Sequence, residues 1–115
     1  MKKINRVTKS KDFGRIITAG QTKTSKSFVV SVLQNDLGYV RVGISVSKKR
    51  GNAVRRNYIK RQVRSICRSQ IDFSNNYDFI IVIRQNYDPD QYAEMEKELK
   101  QLIDHLQRSY HASKD

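Results

Sequence analysis

Between Lys48 and Arg68 the chain carries nine Lys or Arg and no acid, a run suited to binding phosphates. Read as a helix turning about 100° per residue from Asn52, Ile59, Val63, Ile66 and Cys67 gather on one face, while Asn57, Arg61, Arg64 and Arg68 form a stripe on another, with Lys60 beside it. Such a row of donors suits phosphate oxygens, which guanidinium groups grip in pairs. Arg55 and Arg56, with Lys48, Lys49 and Arg50 just before them, oppose the positive end of the helix dipole and repel one another. Stability alone does not select that arrangement. A polyanion lying across the stripe and the first-turn amides does.

Hydrolysis by the chain itself would need paired carboxylates, a metal cluster, or a nucleophile with its base. The basic half holds only Asp12 and Asp36 and no His. His105 and His111 lie near the C-terminus, and Asp88 and Asp90 flank Pro89 as helix-starting residues. The single Cys67 excludes an intrachain disulfide, has no zinc-ligand spacing around it, and sits on the apolar face as a packing residue. No catalytic or metal-binding residue is assigned.

At 115 residues the chain reads as one domain with one core, spanning 1–115. Its net charge of +12 is uneven: residues 1–68 hold 18 Lys/Arg against two Asp, a net +16, and residues 69–115 hold 5 against 9 acids, a net −4. A field so concentrated favours nucleic acid as partner, ahead of an anionic membrane. After Lys2-Lys3, the stretch Val7-Thr8-Lys9-Ser10-Lys11 supplies no apolar signal region, and no later run reaches membrane-spanning length. A cytoplasmic protein without a membrane partner is expected.

The elements that must position the stripe follow from periodicity. Residues 1–9 read as a basic arm; Ser10 as the N-cap of a helix of about ten residues with Phe13, Ile16 and Ile17 inward and Gly20 at its end; 21–26 as a polar loop. Ser27–Gln34 and Tyr39–Ser47 read as strands joined by a tight Asn35-Asp36-Leu37-Gly38 connection into an antiparallel hairpin, Gly43 allowing either a bulge or a close approach. The basic helix starts at Gly51-Asn52. Tyr77–Arg84, with five consecutive apolar residues, reads as a strand buried on both faces and reached by a parallel crossover. Asp88-Pro89 opens a final helix with Met95, Leu99, Leu102, Ile103 and Leu106 inward, and residues 111–115 are expected to fray. The result is an α+β two-layer domain.

The stretch from Val42 to Arg64, with VSKK, GNAV and RNxxKRxxR in succession, closely resembles the signature of the protein subunit of bacterial ribonuclease P. Lys11-Asp12-Phe13, Arg41-Val42-Gly43 and Ile80–Arg84 extend the resemblance over roughly residues 6 to 106. It implies a two-layer sandwich of order α-β-β-(β)-α-β-α, ribosomal protein S5 domain 2-like, with a short extra strand between the hairpin and the basic helix and a left-handed βαβ crossover. It also implies a ribonucleoprotein in which a catalytic RNA subunit, using Mg²⁺ bound mainly by that RNA and no organic cofactor, removes the 5′ leader from precursor tRNA. The protein would assist by screening phosphate repulsion and by favouring precursor over mature tRNA. Carried across, Lys48, Lys49, Arg56, Asn57, Lys60, Arg61 and Arg64, with Arg68 of the same stripe, would bind the RNA subunit. Phe13, Ile17, Val29 and Ser31 would line the cleft for the single-stranded leader. The position of Ile17 is often aromatic in the family and that of Ser31 commonly tyrosine, so this cleft is less aromatic.

Three other readings stay open at this stage. A structural, ribosomal-type RNA-binding protein shares the charge pattern. A self-sufficient nuclease would cleave without RNA. An anionic-membrane binder would need the Ile59/Val63/Ile66 face exposed. The sequence leaves the oligomeric state undetermined.

Overall fold

The computed structural model describes residues 6–114; the first five residues of the expected basic arm, and Asp115, lie outside them. The elements are α1 (Ser10–Ala19), β1 (Gln21–Thr24), β2 (Phe28–Gln34), β3 (Arg41–Val46), a 3-10 turn (Lys48–Arg50), α2 (Ala53–Gln70), β4 (Tyr77–Ile83), a second 3-10 turn (Pro89–Gln91) and α3 (Tyr92–Lys114).

The four strands form one mixed sheet in the order β1-β2-β4-β3. β4 is central, antiparallel to β2 and parallel to β3, as its continuous apolar run requires. The expected hairpin between β2 and β3 is therefore not formed. The chain from Gln34 to Arg41 steps across the start of β4, and Asn35 holds that step through Nδ2 bonds to Tyr39 O at 3.0 Å and Asp78 Oδ1 at 2.7 Å. The antiparallel hairpin is β1–β2 instead, with Thr22 opposite Ser31 and Thr24 opposite Val29. Gln21–Thr24, read as loop, is a strand exposed along its whole length; both faces are polar, so it carries no alternation. The extra strand stands before β2, not after β3.

Alternation then distributes the core. Phe28, Val30 and Val32 of β2, Val42 and Val46 of β3, and Phe79, Ile81 and Ile83 of β4 face α2 and α3, where Ile59, Val63, Ile66, Cys67, Leu99 and Ile103 complete the main core. On the opposite face α1 lies alone, with Ile16 against Ile80 and Val7, and Phe13, Leu33 and Val82 around them. Lys9 rather than Ser10 occupies the N-cap position of α1, without a side-chain cap. The edge pairing of Arg6 and Val7 with Val42 leads into extended backbone that ends at Lys9, so the helix opens at Ser10, one residue earlier than expected. Gly20 ends α1 with φ −85° and not with a left-handed turn. It is small because a Cβ there would stand 2.5 Å from Val32 O.

Candidate nucleic-acid interface

α2 is prepared by two caps in series. Ser47 Oγ accepts from Lys49 N–H to start the 3-10 turn, Gly51 takes φ +121°, open essentially to glycine, and Asn52 Oδ1 accepts from Arg55 N–H to start the helix. Arg50 does not face outward with its neighbours: its guanidinium donates to Gln85 O and Tyr87 O, tying the turn to the chain after β4. Lys48 and Lys49 are left exposed.

The predicted apolar face is buried throughout, Ile59, Val63, Ile66 and Cys67 being at most 2% exposed. The condition for the anionic-membrane reading therefore fails. Burial pushes the Cys67 thiol well above its ordinary range, which fits packing and not nucleophilic chemistry. No helix among the described residues is long and apolar enough to cross a membrane.

Asn57, Arg61 and Arg68 are exposed, with Arg56, Lys60 and Arg64 half-buried beside them. Among the described residues every ion pair belongs to Arg15 or Arg41, on the α1 side of the sheet. None engages a cation of α2, although the C-terminal half is acidic. Burial, and secondarily the charge of Arg6, pushes the Arg64 guanidinium down from its ordinary value.

Lys60 and Arg64 turn toward the outer edge of β3, where a groove of about 330 Å³ is lined by Arg6, Val7, Thr8, Phe13, Val42 and Ile44 as well. A second hollow of about 360 Å³ continues past Ser45 and Val46. β3 is an edge strand, joined there at Val42 O by the Val7 amide at 2.9 Å. The structure thus brings Phe13, expected in the leader cleft, beside Lys60 and Arg64, expected on the RNA subunit. Arg6, Thr8, Ile44 and Ser45 complete this junction and were not singled out from the sequence. Their signal is the exposed edge of β3, which the expected hairpin does not reveal.

The other cleft candidates lie on the α1 face of the sheet. Phe13 is half-buried over Gly43, and the uninterrupted β3–β4 register excludes a bulge there. Ile17 is 41% exposed and Val29 half-buried. Ser31 is buried, its hydroxyl paired with that of Thr22 at 2.8 Å. Of this hydroxyl pair only Thr22 is exposed.

Beneath α1 a polar network fixes that cleft. Asp78, fully buried, accepts from Arg41 Nε at 2.9 Å and Nη2 at 2.8 Å, while Arg41 Nη1 and Arg15 reach Asp12 at 3.7 and 3.8 Å. The hydrogen bond to Asp78 raises the Arg41 guanidinium further above its ordinary value, against the opposing effect of burial. Among the described residues no three His, Cys, Asp or Glu converge on a metal position.

With this geometry in place, comparison with known proteins is specific. A family model described as Ribonuclease P matches residues 1–107. The ribonuclease P protein component of Streptococcus agalactiae is 42% identical over 103 residues, covering 90% of this chain and 94% of that one. Its Streptococcus pneumoniae counterpart is also 42% identical, over 104 residues, covering 90% and 85%. Among solved structures, the Staphylococcus aureus RNase P protein superposes with TM-score 0.68 at 33% identity, covering 92% and 94%, and the Thermotoga maritima RNase P protein with TM-score 0.71 at 30%, covering 85% and 94%.

Proposed function

The chain belongs to the bacterial ribonuclease P protein family, and we propose that it docks α2 on the catalytic RNA while α1 and the sheet hold the single-stranded 5′ leader of precursor tRNA. As a family member it is an RNA-binding subunit of an endoribonuclease of tRNA processing.

The observation that carries the docking assignment is the unneutralised row of Asn57, Arg61, Arg64 and Arg68 with Lys60, no member of which enters an ion pair among the described residues. Eight cations, Lys48, Lys49, Arg55, Arg56, Lys60, Arg61, Arg64 and Arg68, lie on or just before one helix. In RNA they replace condensed counter-ions and lower the repulsion between closely packed strands. The leader enters where Phe13 and Ile17 offer apolar surface beside Val29 and the Thr22/Ser31 pair. It then meets Lys60 and Arg64 around the β3 edge, so that one backbone passes from stacking to phosphate contacts. Leader recognition favours precursor over mature tRNA because only the precursor has the segment to bind. Mg²⁺ belongs to the RNA subunit on this reading, as does the chemistry, and the protein contributes charge and position.

The test combines this chain with a bacterial ribonuclease P RNA at low Mg²⁺ and measures precursor cleavage, with each component alone as control. Stimulation by the protein is expected, with no cleavage by protein alone. Absence of stimulation would return the protein to a structural RNA-binding role.

A further inference from the structure

α2 has a second flank, facing away from β3, that the leader cleft does not use and that the docking surface meets only at Lys49 and Arg61. There a groove of about 690 Å³ runs between the helix and the turn before α3, lined by Lys49, Arg55, Arg61, Tyr58, Val54 and the Asp88–Asp90 turn. Val54 is 77% and Tyr58 49% exposed, two of the few large apolar side chains left open to solvent.

The walls are firmly built. Gln62 Nε2 donates to Pro89 O at 3.1 Å and to the Tyr58 hydroxyl at 3.2 Å, while its Oε1 accepts from the buried Tyr87 hydroxyl at 2.7 Å. One side chain thereby fixes both the Tyr58 ring and the opposite wall. Arg50 pins the near end through Gln85 O and Tyr87 O. Asp88 Oδ1 accepts from Asp90 N–H at 3.0 Å, which shapes the turn and leaves the Asp90 carboxylate exposed. Although Lys49, Arg55 and Arg61 share the groove with Asp88 and Asp90, no ion pair closes between them. Opposite charges face each other across a gap with an aromatic ring between.

An occupant that fits must offer negative charge to one wall, N–H donors to the other, and a flat face between. An unpaired nucleotide offers all three. A carboxylate is acceptor-only, so the Asp90 wall rejects phosphate and selects a base edge rich in donors. Guanine alone presents adjacent imino and amino donors to one carboxylate. Arg61 belongs to both the docking stripe and this groove, which makes the two surfaces continuous. The geometry points to a nucleotide pocket that takes one unpaired guanine of a bound RNA, stacked on Tyr58, its Watson–Crick edge on Asp90 and its phosphate on Lys49, Arg55 or Arg61.

The test titrates the full chain into fluorescein-labelled single-stranded RNA of sequence UUGUU, and into strands with inosine, adenine, cytosine or uracil at the centre, reading anisotropy at low salt. The guanine strand should bind about fivefold or more tightly than the uracil strand, inosine falling between them for want of the amino group. Tyr58→Ala should abolish the difference and Tyr58→Phe keep it. Asp90→Asn should remove the guanine preference without weakening the all-uracil strand. Equal affinity for all five strands would overturn the assignment. So would an Asp90→Asn variant that tightens every strand by one factor, which is mere relief of repulsion. If an alternating Lys/Glu peptide shifts the Tyr58 and Asp90 amide resonances and no strand does, the groove is a protein-docking site and the nucleotide assignment fails. None of these outcomes touches the stimulation assay, so failure here is distinct from failure of the holoenzyme reading.

Discussion

The ring of Phe13 lies against the backbone of Gly43: a Cβ at residue 43 would stand 2.7 Å from Phe13 Cζ and 2.8 Å from Ile80 Cδ1. The glycine is the notch that lets an aromatic side chain of α1 approach β3 closely, beside Lys60. Gly43→Ala should therefore act at a distance, displacing Phe13 while leaving the docking face of α2 intact. Overpacking of this kind lowers stability by about 1–3 kcal/mol. In binding assays with the reconstituted holoenzyme, Gly43→Ala and Phe13→Ala should both reduce affinity for precursor tRNA and leave mature tRNA unchanged. Equal losses for the two tRNAs would separate Phe13 from the leader.

The docking stripe makes a different prediction. If α2 and its preceding turn neutralise about six phosphates, log K for the RNA subunit should fall against log salt with a slope of about −4 to −5. Arg61→Ala or Arg64→Ala should weaken assembly and lower that slope by about 1. Arg50→Ala should not behave this way, because its donors are spent on Gln85 and Tyr87 carbonyls. It should lower thermal stability with the salt slope nearly unchanged. Filter binding over a salt series, with melting curves of the same variants, distinguishes the two classes.

How legible these features are in the sequence depends on whether their physics is local. The buried face of α2 is readable because Ile59, Val63, Ile66 and Cys67 recur at helical spacing and the outer residues are charged. The centrality of β4 is implied by its apolar run, yet the six residues between Gln34 and Arg41 suit a hairpin connection as well as a step across another strand. That ambiguity hides the open β3 edge, and with it the groove of Phe13, Lys60 and Arg64. β1 is invisible because an edge strand wet on both faces has no hydrophobic period. Ser31 reads as a contact residue by position, whereas its hydroxyl is committed to Thr22. The pairing of Arg41 with Asp78, 37 residues apart, exists only once β3 and β4 lie side by side.

That pair leads to a stability prediction. Asp78 is completely buried and accepts from both Arg41 and Asn35, whereas the Asp12 contacts are long and partly exposed. Removing one partner of a buried pair leaves the other charge stranded, so Asp78→Ala should destabilise the fold by about 3–5 kcal/mol. Asp12→Ala should lose less than about 1 kcal/mol. Urea denaturation of the two variants gives the comparison directly, and similar losses would place the energetic centre of the network elsewhere.

Cys67 makes the last prediction, in the opposite pH direction to a carboxylate. Burial raises its thiol well above the ordinary value of 9.0, so the native state keeps the proton at pH values where the unfolded chain has released it. With fewer protons bound in the unfolded state, stability must fall as pH rises past about 9. The loss should approach about 1.4 kcal/mol per pH unit beyond that point. Cys67→Ala lacks the titration and leaves a small cavity, so it should be less stable at neutral pH, with the gap to the parent chain narrowing in alkali. Chemical denaturation of both proteins from pH 7 to 10 tests this. In parallel, a thiol reagent should label Cys67 only as fast as the fold opens, and rapid labelling of the folded protein would contradict its placement between α2 and the sheet.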